Sequence, residues 1–186
     1  KKNLHIPVVY NCGGYETAET IGALSEYVDI WLPDLKYYSP ILSRRYSQAE
    51  DYFAVASRAV EQMIRLTGPP EFGEYKDKRS GTACSILRKG VIIRHMVLPG
   101  HKDDSIRLLY WMKDTLPKGG FLISLMSQYT PFYRSADYPE INRRITTYEY
   151  EKVLNTAIEL GLTDGFMQEK SSAKEEYTPP FELEGL

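Results

Sequence analysis

Asp34 and Lys36 stand two residues apart directly after the apolar run 28–33, and Arg94 interrupts a second apolar run at 91–98. A carboxylate beside an ammonium group can hold an amino-acid-like zwitterion or a cation. It can equally form a structural ion pair, and the segment alone leaves both open. An arginine inside an apolar run must meet a partner or lose its hydration. Arg94 is therefore expected to point at a ligand or at a carboxylate near the strand end, Asp34 being one candidate. His95 points the other way by alternation and reads as a packing histidine. Asn11-Cys12-Gly13-Gly14 closes the run 6–10. Its short side chains and glycines either let the backbone approach a ligand or simply turn the chain from strand to helix. Tyr129 follows Ser127-Gln128 at the end of the run 121–126, where its ring can stack on or hydrogen-bond a cyclic ligand, although it is one of 15 tyrosines. Residues 140–144, Glu-Ile-Asn-Arg-Arg, read as a surface ion-pair patch.

These groups need elements to hold them. The four runs are short, rich in Val, Ile and Leu, and bounded by Gly, Pro and Asn, which predicts strands buried on both faces. Residues 16–27 predict a helix capped by Thr17, and 50–67 a helix with Phe53, Ala56, Val60, Met63 and Ile64 on one face, stopped by Gly68-Pro69-Pro70. Asp103 or Asp104 is expected to cap a helix ending near Pro117. Thr146 and Glu149 have the spacing of a capping box that opens a helix to about Gly161. A last short strand is expected at 164–168. The polar stretch 69–89 reads as a long excursion loop with a little irregular strand at 83–87. The order β-α-β-α-(loop)-β-α-β-α-β gives an α/β fold with a parallel sheet and outer helices. The sheet is either open or part of a β/α barrel, since four or five strands do not close one. Ligands bind such folds where the strands' carboxyl ends meet, and the charged clusters lie there.

The formal net charge of −2, with 23 basic and 25 acidic residues interspersed, argues against nucleic acid or an anionic membrane as the main partner. No apolar stretch is long enough to span a bilayer and no signal peptide opens the chain. Two cysteines, Cys12 and Cys84, imply no disulfide framework and fit a reducing cytoplasm. Neither they nor His5, His95 and His101 have metal-ligand spacing, so no metal site and no catalytic residue are assigned to this chain.

Taken in order, the clusters resemble the radical S-adenosylmethionine enzymes, specifically relatives of pyruvate formate-lyase activating enzyme. Val9-Tyr10-Asn11-Cys12-Gly13-Gly14-Tyr15-Glu16 is similar to the third-strand segment, with Cys12 and Gly13 where the family usually has Thr and Asn. The segment from Val28 to Lys36 resembles the fourth strand with its Asp-x-Lys ending. Ile93-Arg94-His95-Met96-Val97-Leu98-Pro99-Gly100 resembles the fifth. Residues 124–129 fall where the sixth lines the adenosine pocket, and 138–146 resemble one branch of activating-enzyme-like proteins.

The resemblance implies a partial, open TIM-type barrel over residues 1–169, followed by a polar tail at 170–186. It implies cofactor binding by Asn11, Cys12, Asp34, Lys36, Arg94, Val97 and Tyr129. Asn11, Cys12 and Asp34 would shape a polar or cation site near the methionine carboxylate. Lys36 and Arg94 would neutralise that carboxylate or bind the ribose, and Val97 and Tyr129 would border the adenine. In the parent enzyme a [4Fe–4S] cluster reduces S-adenosylmethionine, with a glycyl-radical-type protein as substrate and flavodoxin or ferredoxin as electron donor. The family's cluster-binding cysteine loop and its first two strands have no counterpart here. The chain is therefore expected to be the C-terminal portion of such an enzyme, inactive alone, with an open strand edge at 6–10 that promotes self-association. Two other readings compete: an aldolase-type barrel piece with Lys36 as Schiff-base lysine, and a non-catalytic module that docks a protein through 69–89.

Overall fold

A computed structural model describes residues 6–76 and 82–167. The expected tail at 170–186, residue 168 of the last strand, His5 and residues 77–81 of the excursion loop lie outside the described residues. The elements are β1 (Val9–Cys12), α1 (Ala18–Leu24), β2 (Ile30–Pro33), α2 (Pro40–Ser47), α3 (Tyr52–Thr67), β3 (Glu71–Lys76), β4 (Ala83–Met96), α4 (Lys102–Thr115), β5 (Leu122–Met126), α5 (Thr147–Glu159) and β6 (Gly165–Met167). Strands β1-β2-β4-β5-β6 lie side by side in that order and every pair among them is parallel. The sequence periodicity therefore specified a mixed α/β fold with a parallel sheet and flanking helices. None of the described helices is long and apolar enough to cross a membrane.

The helices begin and end for local reasons. Thr17 accepts a hydrogen bond from Thr20 N–H at 3.2 Å and caps α1. Thr146 and Glu149 form the expected reciprocal capping box on α5. On α3 the 3.6-residue spacing puts Ala56, Val60 and Met63 at 0% exposure, and the last two stabilise the fold by about 1.5–3 kcal/mol each. At Gly68 the backbone takes φ 78°, a left-handed conformation that ends the helix. Helix α4 starts one residue before the expected Asp103 or Asp104 cap. The Asp104 carboxylate instead accepts the N–H groups of Tyr38 and Ser39, both at 2.9 Å, fixing the chain beyond β2. Helix α2 was not foreseen; its one signal is Pro40 at the first helical position after Ser39.

Two expectations are corrected. Residues 71–76 and 83–89 of the expected loop are strands, the second taking in the short strand expected at 83–87: β3 runs antiparallel to the first half of β4 as a two-stranded ribbon, with Phe72 opposite Leu87 and Tyr75 opposite Cys84. Phe72 and Tyr75 stay largely exposed, so neither ribbon face has the hydrophobic alternation that announces a strand. Nor are the sheet strands buried on both faces. Residues alternate across a strand, and Trp31, Leu35, Ile93, His95, Ile123 and Leu125 all point toward the helices and are buried. The opposite face is buried at Ile30 and Leu122, near the amino ends of their strands, but carries Asn11, Asp34, Arg94, Met96, Ser124 and Met126, none of them fully buried, and Phe166 at 58% exposure. Apolar runs appear because both faces are largely apolar, while the described helices cover one.

Candidate functional site

Beyond the last residue of β2 the chain stays extended, and Asp34 forms a parallel bridge with Arg94 of β4. Its backbone is held on both sides: Asp34 N–H donates to the Cys12 carbonyl at 3.0 Å and Leu35 N–H to the Arg94 carbonyl at 2.9 Å. Bridge partners project from the same face, so the two side chains meet, Arg94 Nη2 lying 2.5 Å from Asp34 Oδ1. Lys36, two residues on, brings Nζ to 3.8 Å from Asp34 Oδ2. Arg94 Nε is buried and has no hydrogen-bond acceptor. A guanidinium with a buried idle donor is poised to take a carboxylate or another acceptor.

Asp34, Lys36 and Arg94 share a cavity of about 190 Å³ with Tyr37, Met96, Leu98 and Met126. Register explains the wall: Met96 pairs with Met126 one step beyond the Arg94–Ser124 pair. The cavity therefore offers one anion, two cations and an apolar thioether wall, and suits a ligand with a zwitterionic head and an apolar or flat body. Complete small-molecule sites usually enclose about 300–1,000 Å³. This smaller volume opens on the uncovered sheet face. A second cavity of about 110 Å³, lined by Met112, Leu116, Phe121, Ile123 and Leu160, lies at the amino ends of the strands, away from these charges.

The turn around Asp34 is pinned from below by Tyr52. Its phenol oxygen lies 2.9 Å from the Asp34 carbonyl and 3.1 Å from that of Gly13, and accepts Lys36 N–H at 3.1 Å. Gly14 makes this contact possible. Its φ is +79°, and a Cβ there would sit 2.0 Å from the Asp34 carbonyl oxygen. The turn reading holds, and Gly14 in addition lets one loop touch the other.

Of the expected site residues, Asp34, Lys36 and Arg94 come together. Asn11 stands on the same face, paired with Leu32 and exposed. Cys12 does not belong to the site. One residue of alternation turns it to the helix side, where it is buried in the core, and desolvation pushes its thiol up to about 12. Val97 is likewise corrected, since it faces the core at 0% exposure. Tyr129 lies past β5, half-buried, its phenol raised by burial, and does not line the cavity. His95 packs as expected: Nδ1 is 2.7 Å from the Leu35 carbonyl and Nε2 2.8 Å from Ser105 Oγ. A carbonyl only accepts, so Nδ1 carries the proton and Nε2 accepts from the serine hydroxyl.

The patch at 140–144 proved more ordered than a surface patch. Arg143 holds Glu149 through two bonds of 2.8 and 2.7 Å, and Glu149 also accepts Gly100 N–H at 2.7 Å. Glu140 accepts the Tyr46 hydroxyl at 2.8 Å and pairs with Arg45 at 2.7 Å. Tyr37, Met96, Leu98, Met126 and Tyr52 were missed by sequence reading. Alternation from Arg94 reaches Met96, but Tyr52 arrives from a different element and no local pattern marks it.

An uncharacterized protein of Methanocaldococcus jannaschii is 31% identical over 155 residues, covering 82% of this chain and 38% of that protein. The chain thus spans well under half the length of the curated relative it matches. No family model matches the chain.

Proposed function

We propose that this chain is the C-terminal portion of a radical S-adenosylmethionine enzyme of the activating-enzyme type, and that it contributes the half-site for the sulfonium nucleoside. The observation that carries the reading is the Asp34–Lys36–Arg94 constellation beside an apolar wall, with Arg94 Nε buried and unused. Asp34 would accept the α-ammonium group of the amino acid, and Arg94 and Lys36 would hold its carboxylate. Met96, Leu98, Met126 and Tyr37 would shield the less polar remainder from water. Bound in a complete enzyme, S-adenosylmethionine supplies the radical that abstracts hydrogen from a substrate, a glycyl-radical-type protein being the class the resemblance favours.

The iron–sulfur cluster does not fit this chain. Its two cysteines are Cys12, buried on the helix side, and Cys84, exposed on the ribbon, and the described residues hold no group of three metal-ligating side chains. No step through a cluster is assigned to it. The uncovered sheet face and the short span relative to the archaeal relative agree with a half-site completed by further chain.

Calorimetric titration with S-adenosylmethionine and S-adenosylhomocysteine tests the reading. Weak binding, lost in Arg94→Met and in Asp34→Asn, is expected. Titrations that show no heat for either ligand, or equal heats in both variants, would overturn it.

A further inference from the structure

Leu98, on the cavity wall, opens a tight turn. His101 N–H donates to the Leu98 carbonyl at 3.2 Å, and Pro99 and Gly100 lie between them, Gly100 at φ +78°. Pro-Gly at the two central positions, with a positive φ at the second, is the pattern of a type II turn. Such a turn bonds its first residue to its last and leaves the N–H of its third without a partner inside the turn. Here that N–H, on Gly100, donates to Glu149 Oε1 at 2.7 Å.

Glu149 belongs to the capping box of α5, but the box does not require this contact. Its Oε2 accepts the Thr146 N–H at 3.0 Å and the Thr146 hydroxyl at 2.8 Å, which completes the cap. Oε1 is left for Gly100, and Arg143 fixes the plane of the carboxylate by donating to both oxygens, at 2.8 and 2.7 Å. Glu149 is 8% exposed, so these bonds are shielded from competing water. The far end of the turn is tied to the same segment. Tyr46 spends its hydroxyl hydrogen on Glu140, so His101 Nε2, 2.7 Å from the Tyr46 oxygen, is the donor to it. Residues 140–149 thus hold the turn at two points, although none of them lines the cavity.

We propose, on the reading of the cavity as a nucleoside half-site, that Glu149, aligned by Arg143, is a positioning residue. It fixes the Leu98–His101 turn and so sets how tightly the cavity grips the body of its ligand. Asp34 and Arg94 meet the charged head whether or not the turn is fixed, because their own backbone bridge positions them. Leu98 meets the less polar remainder of the ligand and moves with the turn. Loss of the anchor therefore weakens a ligand that carries a nucleoside and spares one that is head alone.

Two probes separate these parts: S-adenosylhomocysteine, with head and nucleoside, and methionine, with the head alone. Each is titrated into the isotope-labelled full chain and followed by its amide resonances in nuclear magnetic resonance spectra. Glu149→Gln keeps one side-chain oxygen for the α5 cap but loses the second acceptor. It is expected to move the Gly100 amide proton upfield, to weaken S-adenosylhomocysteine about tenfold, as for one lost hydrogen bond to a charged group, and to leave methionine unchanged. Thr146→Ala removes the cap hydroxyl without touching Gly100. It should lower the unfolding midpoint and keep both affinities, which separates positioning from a general loss of stability. A Gly100 shift with unchanged S-adenosylhomocysteine affinity, or equal losses for both probes, would overturn the proposal. If neither probe binds the wild type, the half-site reading itself falls, and the proposal with it.

Discussion

Asp34 and Arg94 are joined twice, through a parallel backbone bridge and through a side-chain contact of 2.5 Å on the same sheet face. The backbone link sets the geometry, so the charges meet without either side chain having to search for the other. Removing the two partners should have unequal effects. Asp34→Asn leaves Arg94, only 27% exposed, without its carboxylate and should cost about 1–3 kcal/mol. Arg94→Met leaves Asp34 with Lys36, 3.8 Å away, as a remaining cation and should cost less, about 1 kcal/mol. Urea denaturation of both variants checks this, and the reverse ranking would mean that the pair does not hold in solution.

Gly14→Ala should be severely destabilising. The new Cβ would collide with the Asp34 carbonyl oxygen, and the residue would be forced to a positive φ. A loss of several kcal/mol, on the order of those seen for strained backbone sites, is expected together with weakened ligand binding. Gly13→Ala serves as control, since nothing lies within 4 Å of its Cβ position. Thermal unfolding of the pair decides the matter.

The two thiols should react at very different rates. Cys84 is exposed, whereas Cys12 is buried and its thiol is pushed up to about 12. An aromatic disulfide reagent should titrate one thiol in the native protein and the second only after denaturant is added. Rapid modification of both would place Cys12 in solvent and contradict its position in the core.

Acid should weaken the fold through His95. Burial lowers its pKa below the ordinary 6.5, so the native imidazole stays neutral while the unfolded chain takes up a proton. The unfolded state then binds more protons, and stability falls as pH drops below 6.5. The hydrogen bond to the Leu35 carbonyl, and then the charges of Asp104 and Asp34, oppose the shift only in part. Urea midpoints on either side of that pH should show the slope in the wild type and a flatter profile in His95→Asn. His101, also lowered by burial, leaves a residual slope of the same sign.

Self-association is expected from the sheet itself. Strand β1 pairs with β2 alone among the described strands, Val9 is 51% exposed, and none of the described helices covers the face bearing Met96 and Phe166. Sedimentation velocity over a range of concentrations should show reversible association, and a strictly monomeric boundary would rule it out.

What the residues determined by themselves is the local grammar. The Thr146–Glu149 capping box, the stop at Gly68, the apolar spacing of α3 and the strand runs follow from interactions within a few positions, and all of them formed. The pairing of Asp34 with Lys36 was also legible, because alternation is a property of one strand. Long-range pairing decided the rest. The ribbon of β3 and β4 depends on hydrogen bonds between backbones, which leave no trace in side-chain period when both faces meet water. One residue of register put Cys12 and Val97 in the core and Arg94 over the cavity. Tyr52 reached the Asp34 turn from a separate helix, because only packing brings together segments that the chain holds apart.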